Sequence, residues 1–465
     1  MISLAKGIKW AGLSQGGRLL LQLVSVIILA RFLAPKDYGI MAIVLIIMSA
    51  GQIIKDMGTG ASILQRRDLD GPLVNAIFFL NIAIGFVLAM SVAMFSGRIA
   101  ILLGSPEAVG VILSSSPLLI LGGLATVHQK LLERQERFET LAKIELSASA
   151  VGLVAAVIVA YQTRSAYAFV IQLYAAGTLS VLLLWRHNSW RPMRKVNWRR
   201  LGEVYEFSVN LFVFQIVNYF QRNADTMIIS KVLGASSLGQ YNMAHRLVLF
   251  PIQSLASVLG RVMVPAYSQS DKSLSDLSMH YLMTVRTVIS VLGPLLGAIW
   301  VLRDRMVALL LGEQWLQVSE VLTWIIPLGY LQVVMSTTGS IFIFRGRTDL
   351  LRNIGVVASV AVVSALIVAA PYGLECVAKT YFLVMFVIFW CVIWLVMRVL
   401  DQSIWKAASM IMFPTVISLT VTYVGVSLGI DDKSSGYINL VEIVYFVGAL
   451  ILSGALFVLG RAKVS

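Results

Sequence analysis

The sequence predicts an all-α polytopic membrane protein of about 14 transmembrane helices, and three observations carry that reading. Of the 465 residues, 58% are hydrophobic and only 13% are charged, where an ordinary soluble domain has roughly 25% charged. Mean hydropathy is +0.85. Apolar blocks of about 20 residues recur from end to end, each long enough for a helix to cross about 30 Å of hydrocarbon. A helix also pairs every backbone N–H and C=O within the segment, as the bilayer demands.

The blocks fall at 10–30, 39–54, 73–96, 108–127, 146–163, 165–185, 207–230, 238–260, 287–302, 321–344, 353–374, 376–397, 407–430 and 437–460. The ninth is short and is expected to borrow residues before Thr287. Lys6 and Lys9 precede the first block as in a signal peptide, but Gln15, Arg18 and Gln22 interrupt it. It reads as a retained first span. The two cysteines, Cys376 and Cys391, share one predicted helix and offer neither a disulfide framework nor a zinc cluster.

Orientation follows from the loops. Arg186, Arg191, Arg194, Lys195, Arg199 and Arg200 crowd one segment that contains no acid, which marks it as cytoplasmic. Alternation from there puts both termini in the cytoplasm and 24 of the 37 Lys and Arg residues on that side. The net charge of +14 is thereby explained without a nucleic-acid partner.

Residues 27–39, IILARFLAPKDYG, align with residues 227–239, MIISKVLGASSLG, at an offset of 200. The copies share a basic residue, Leu, a small residue and Gly in register. An even number of spans separates them, so both run the same way across the membrane, as in transporters whose halves are related by an axis along the membrane normal. The expected organisation is an N-lobe at 1–185 (spans one to six), a cytoplasmic basic linker at 186–202, a C-lobe at 203–400 (spans seven to twelve) and two additional helices at 401–465.

The first span carries Ser14, Gln15, Arg18, Gln22 and Ser25 on one helical face. The seventh carries Gln215, Asn218, Arg222 and Asp225, which coincide with positions 15, 18, 22 and 25 in the repeat register. A charge at mid-bilayer costs about 2.5–3.5 kcal/mol on insertion scales, so such faces point into a bundle or an aqueous cavity. Lys55, Asp56, Glu145, Glu206, His245, Arg246, Arg261, Arg286, Lys379 and Glu442 also lie in or beside spans. Plainer roles stand beside functional ones: Lys55, Glu145, Arg261 and Arg286, near predicted helix ends, can snorkel to headgroups. Arg222 and Asp225, one turn apart, can form a structural ion pair.

Signatures of catalysis are nearly absent. No Walker-type phosphate loop occurs, and His128, His187, His245 and His280 lack metal-ligand spacing. Asp68 and Asp70 form a D-x-D triplet, a short pattern that arises easily by chance, and no large extracytoplasmic loop is available to hold a polymerising glycan. The chain does not read as an enzyme.

Two stretches carry a family resemblance. Leu29-Ala30-Arg31-Phe32-Leu33-Ala34-Pro35-Lys36-Asp37-Tyr38-Gly39, followed by Asp56-Met57-Gly58-Thr59-Gly60 and Ile63 to Asp68, resembles the amino-terminal signature of Wzx-type polysaccharide flippases, in particular the colanic-acid exporter branch. Asp225 to Ile229, Leu238-Gly239-Gln240-Tyr241 and Ala244-His245-Arg246-Leu247 are similar to the matching stretch in the second half of those proteins. The wider group is the multidrug, oligosaccharidyl-lipid and polysaccharide export superfamily. The resemblance implies two six-helix lobes around a central cavity, alternating access, and two further helices. It implies a substrate too: undecaprenyl-diphosphate-linked oligosaccharide, moved between leaflets of the bacterial inner membrane for lipopolysaccharide or exopolysaccharide biosynthesis. Inner-membrane lipids, a polysaccharide polymerase and a chain-length regulator are the implied partners. No cofactor is expected, and coupling to protons or sodium is left open.

Arginine offers a permanent charge and a bidentate match to phosphate oxygens. Arg18, Arg222, Arg246 and Arg286 are therefore the expected cationic, substrate-binding set, with Asp225 and Asp56 tuning it or coupling an ion. Lys55, Arg31 and Lys231 are the expected gate residues. A cation-coupled drug antiporter of the same superfamily would be expected to carry acids deep in spans three, four and six, where this chain has none. An integral glycosyltransferase or polymerase is the alternative from a different class.

Overall fold

The computed structural model describes the chain apart from residues 1, 58, 66–68, 194–195, 198–211, 213–214, 269–273, 429, 431–441, 443, 450–451 and 454–465. Among the described residues there is no β-strand. Nine helices among the described residues are long and apolar enough to cross a membrane, or ten counting one bent pair as a span. The chain falls into two compact units, Met1–Asn242 and Met243–Ser465.

The first unit opens with α1 (Ile2–Ala30) and α2 (Pro35–Asp56), then the short α3 (Thr59–Gln65) and the long α4 (Gly71–Leu102). α5 (Val109–Ser115) and α6 (Leu118–Arg134) form the bent pair, and α7 (Phe138–Thr163) and α8 (Tyr167–His187) follow. Residues 215–222 are helical and lead into α9 (Ala224–Ser268), which the left-handed backbone of Gly234 (φ 79°, ψ 179°) divides in two. The second unit takes over within α9 and adds α10 (Leu274–Leu310), α11 (Gln317–Phe344), α12 (Thr348–Ala369), α13 (Leu374–Val399) and α14 (Ile404–Ser427). The helices take up the expected spans in order, the fourteenth block lying mostly outside the described residues. The ninth span does borrow residues before Thr287, because α10 begins at Leu274.

The stretch LAPKDYG folds as it does for identifiable reasons. Pro35 occupies the first turn of α2, where its missing N–H costs nothing. Asp37 accepts from the Ala34 N–H at 3.0 Å and with its other oxygen from the Ala166 N–H at 2.9 Å, so one carboxylate caps the starts of two helices, α2 and α8. Tyr38 donates its hydroxyl to the Val26 carbonyl at 2.8 Å and sets its ring edge-on to Phe169, 4.9 Å between centroids. These bonds tie α1, α2 and α8 together at one end of the unit.

At the other end of α8, His128 of α6 is fully buried and stacks on Trp185 at 4.6 Å, with Phe78 and Trp190 edge-on. Asn188 donates to the His128 carbonyl and accepts from the Trp190 N–H. The Met193 N–H reaches Asn75, and the Asn197 N–H reaches the Pro72 carbonyl, so the basic segment starts out fastened to α4. Arg194, Lys195, Arg199 and Arg200 lie outside the described residues.

The core of the second unit is an apolar cluster around Tyr281, Phe342, Phe389, Val396, Leu400 and Ile411, from α10, α11, α13 and α14. Arg305 near the end of α10 pairs with the buried Glu442, and Tyr445 donates to the Val421 carbonyl at 2.8 Å. The described part of the last apolar block is thus held on α10 and α14.

Candidate functional site

Two residues of the α1 polar face, Arg18 and Ser25, bond to other helices of the first unit, whereas Gln22 is exposed and the side chains of Ser14 and Gln15 lie outside the described ones. At Gly17 the helix comes so close to α7 that a Cβ would lie 2.7 Å from Leu146 Cδ2. That approach brings the next residue on α1, Arg18, to Glu145: guanidinium Nη1 donates to Oε2 at 3.2 Å. About two turns further on, the buried Ser25 hydroxyl accepts from the Gln172 amide of α8 at 3.2 Å. Arg18 and Glu145 remain 47% and 30% exposed. Arg18 lies 12 residues before the end of α1 at Ala30, about 18 Å along the helix axis, and two residues into the apolar stretch Gly16–Ala30.

The turn between α2 and α3 accounts for the Lys55 and Asp56 pair. Asp56 Oδ1 accepts from the Gly60 N–H at 2.9 Å and from the Thr59 hydroxyl, so the carboxylate caps α3. Lys55 is 1% exposed and donates to Gln52 at 2.5 Å, with Nζ against Gly122 of α6. It does not snorkel to headgroups: it is a buried cation at the end of α2. Asn81 of α4, fully buried, donates to the Thr59 hydroxyl at 3.2 Å and leaves its own Oδ1 without a partner among the described residues. Asp70 caps α4 through the Leu73 N–H at 3.1 Å; Asp68 lies outside the described residues.

Asp225 does not pair with Arg222. Its carboxylate accepts from the Thr226 N–H at 2.7 Å and from the buried Tyr241 hydroxyl at 3.0 Å, while the Arg222 side chain is exposed. Arg31 is exposed in the turn after α1, and Lys231 donates to the Ile101 carbonyl at the end of α4. In the second unit Arg246 is partly buried, and Arg286 lies 5.4 Å over the Phe413 ring of α14.

One contact that the linear sequence did not disclose joins the repeat-related segments. A Cβ added to Gly39 would collide with the backbone of Ala235, and one added to Gly239 would collide with the Pro35 carbonyl. The two collisions exchange when 200 is added to one partner and subtracted from the other. The starts of α2 and of α9 beyond Gly234 therefore cross backbone to backbone, each through a glycine. This reciprocity follows from the 200-residue offset but was not used to find it.

Metal chemistry has no foothold in what is described: no group of three His, Cys, Asp or Glu residues is placed to hold an ion among the described residues. The fold defines a multi-pass helical membrane protein, with Lys55 and Arg286 on helices long and apolar enough to cross a membrane. The chain belongs to the family described as polysaccharide biosynthesis protein, which it matches over residues 28–320. The resemblance read from the sequence is thereby borne out. It is 23% identical over 431 residues to the lipopolysaccharide biosynthesis protein WzxC of Escherichia coli (strain K12), covering 92% of this chain and 88% of that one. Teichuronic acid biosynthesis protein TuaB of Bacillus subtilis (strain 168) is 25% identical over 346 residues, 74% of this chain and 72% of TuaB. In fold the chain is similar to lipid II flippase MurJ in an inward closed conformation, with a TM-score of 0.73 at 14% identity over 98% of this chain and 99% of that one.

Proposed function

We propose that the chain is a flippase that carries undecaprenyl-diphosphate-linked oligosaccharide across the bacterial inner membrane, without altering it covalently, for surface polysaccharide biosynthesis. The observation that carries this reading is Arg18: a half-exposed guanidinium within the apolar stretch of α1, in a chain of a polysaccharide biosynthesis family. A diphosphate cannot cross hydrocarbon unaided, and the planar guanidinium fork matches its oxygens. The names of WzxC and TuaB, and the fold shared with a lipid II flippase, support the same substrate class.

Arg18 and Arg222 in the first unit, and Arg246 and Arg286 in the second, are the cations assigned to the substrate. Asp225 and Asp56 tune their surroundings, and Lys55 is a gate residue at the far end of α2. Arg31 and Lys231 flank the Gly39 and Gly239 crossing, which we assign to a gate that parts as the transporter alternates its access. The expected partners are the lipid-linked substrate, inner-membrane lipids, a polysaccharide polymerase and a chain-length regulator, with no nucleic acid. In a strain lacking the gene, surface polysaccharide should vanish and lipid-linked oligosaccharide should accumulate, and the wild-type gene should reverse both. Normal surface polysaccharide in that strain would refute the assignment.

A further inference from the structure

Arg18 is paired, but incompletely. A guanidinium offers five N–H donors in a planar fork, and Glu145 engages one of them through Nη1 at 3.2 Å. The fork-to-fork geometry that makes arginine and carboxylate pairs strong is not formed. Both side chains stay partly open, at 47% and 30% exposure, and a solvated pair of this kind contributes little to stability. A diphosphate, by contrast, presents several anionic oxygens to the unused edge of the same guanidinium.

A transporter also has to let go. A bare arginine beside a diphosphate binds it in every state, and strong uniform binding slows release just as it does for a permeating ion. A carboxylate able to return to the guanidinium supplies the missing competitor. The close approach of α1 and α7 at Gly17 and Leu146 sets Glu145 within reach of Arg18 in this structure.

We infer that Glu145 is an exchangeable counter-ion for Arg18: it neutralises the guanidinium while the site is empty, yields it to the diphosphate of the substrate, and reclaims it on release. Glu145 is thus a positioning residue whose competition sets the affinity. This rests on the flippase reading above through the role of Arg18.

Glu145→Gln keeps the shape and the hydrogen-bonding oxygen but removes the charge. Purified full-length protein carrying it should bind farnesyl diphosphate about threefold more tightly than wild type. Transport of lipid-linked oligosaccharide in proteoliposomes should show a lower KM and a lower maximal rate. The gain in binding should disappear in an Arg18→Gln background, and Glu145→Asp should fall between wild type and Gln. Unchanged or weaker farnesyl diphosphate binding by a folded Glu145→Gln protein would overturn the proposal, as would a gain that survives loss of Arg18. If Glu145→Gln fails to fold, the pair is structural and the proposal is equally overturned. Wild-type protein that moves no lipid-linked oligosaccharide at all would instead sink the flippase reading.

Discussion

At the scale of single residues, the helical period made Arg18 visible, and chemistry argues for its role. Lys keeps the charge but not the planar fork, so Arg18→Lys should retain part of the export activity, whereas Arg18→Ala should lose nearly all of it. The measurement is surface polysaccharide in the complemented deletion strain, divided by the amount of protein in the membrane. A purely structural pair predicts the reverse order: Ala would lower the amount of folded protein first and leave transport per molecule nearly unchanged. What periodicity could not supply was the partner. Glu145 lies 127 residues away, and only the packing of α1 on α7 brings it to Arg18. Lys55 shows the same limit, because proximity to a helix end suggested headgroups and the fold buried it against Gln52 and Gly122 instead.

At the scale of elements, hydropathy located the spans because a bilayer admits few alternatives to a continuous apolar helix. It was silent on crossings, since a glycine within an apolar block has the same hydropathy whether it faces lipid or another backbone. The offset of 200 was legible from residues 27–39 and 227–239; the reciprocal contact of Gly39 with Ala235 and Gly239 with Pro35 required the fold. Substituting Val at Gly39 or at Gly239 should therefore disturb the same crossing, at a cost of about 1–3 kcal/mol from overpacking, and reduce export per molecule to a similar degree. Gly97→Ala serves as the control, because nothing lies within 4 Å of a Cβ at that position. Wild-type export by either valine variant would show that the crossing neither moves nor matters.

At the scale of the whole molecule, loop charge gives an orientation. Ser189, exposed just after α8, should lie in the cytoplasm together with both termini. With Cys376 and Cys391 replaced by Ser, Ser189→Cys should react with a membrane-impermeant maleimide only after the inner membrane is permeabilised. Ready labelling from the periplasm would invert the topology. The compact units divide within α9, after Asn242. Charge and composition mark the linker, whereas packing follows Gly239 on Pro35 and Lys231 on Ile101, which join the start of α9 to the first unit.

The central claim is that the chain moves a lipid-linked oligosaccharide and leaves it chemically intact. Purified protein in proteoliposomes should carry a fluorescent undecaprenyl-diphosphate oligosaccharide from one leaflet to the other, seen as a fraction newly accessible to a membrane-impermeant quencher, with its mass unchanged in the recovered lipid. Accessibility that stays at the level of protein-free liposomes, or a recovered lipid whose glycan has grown or been cleaved, would contradict the account.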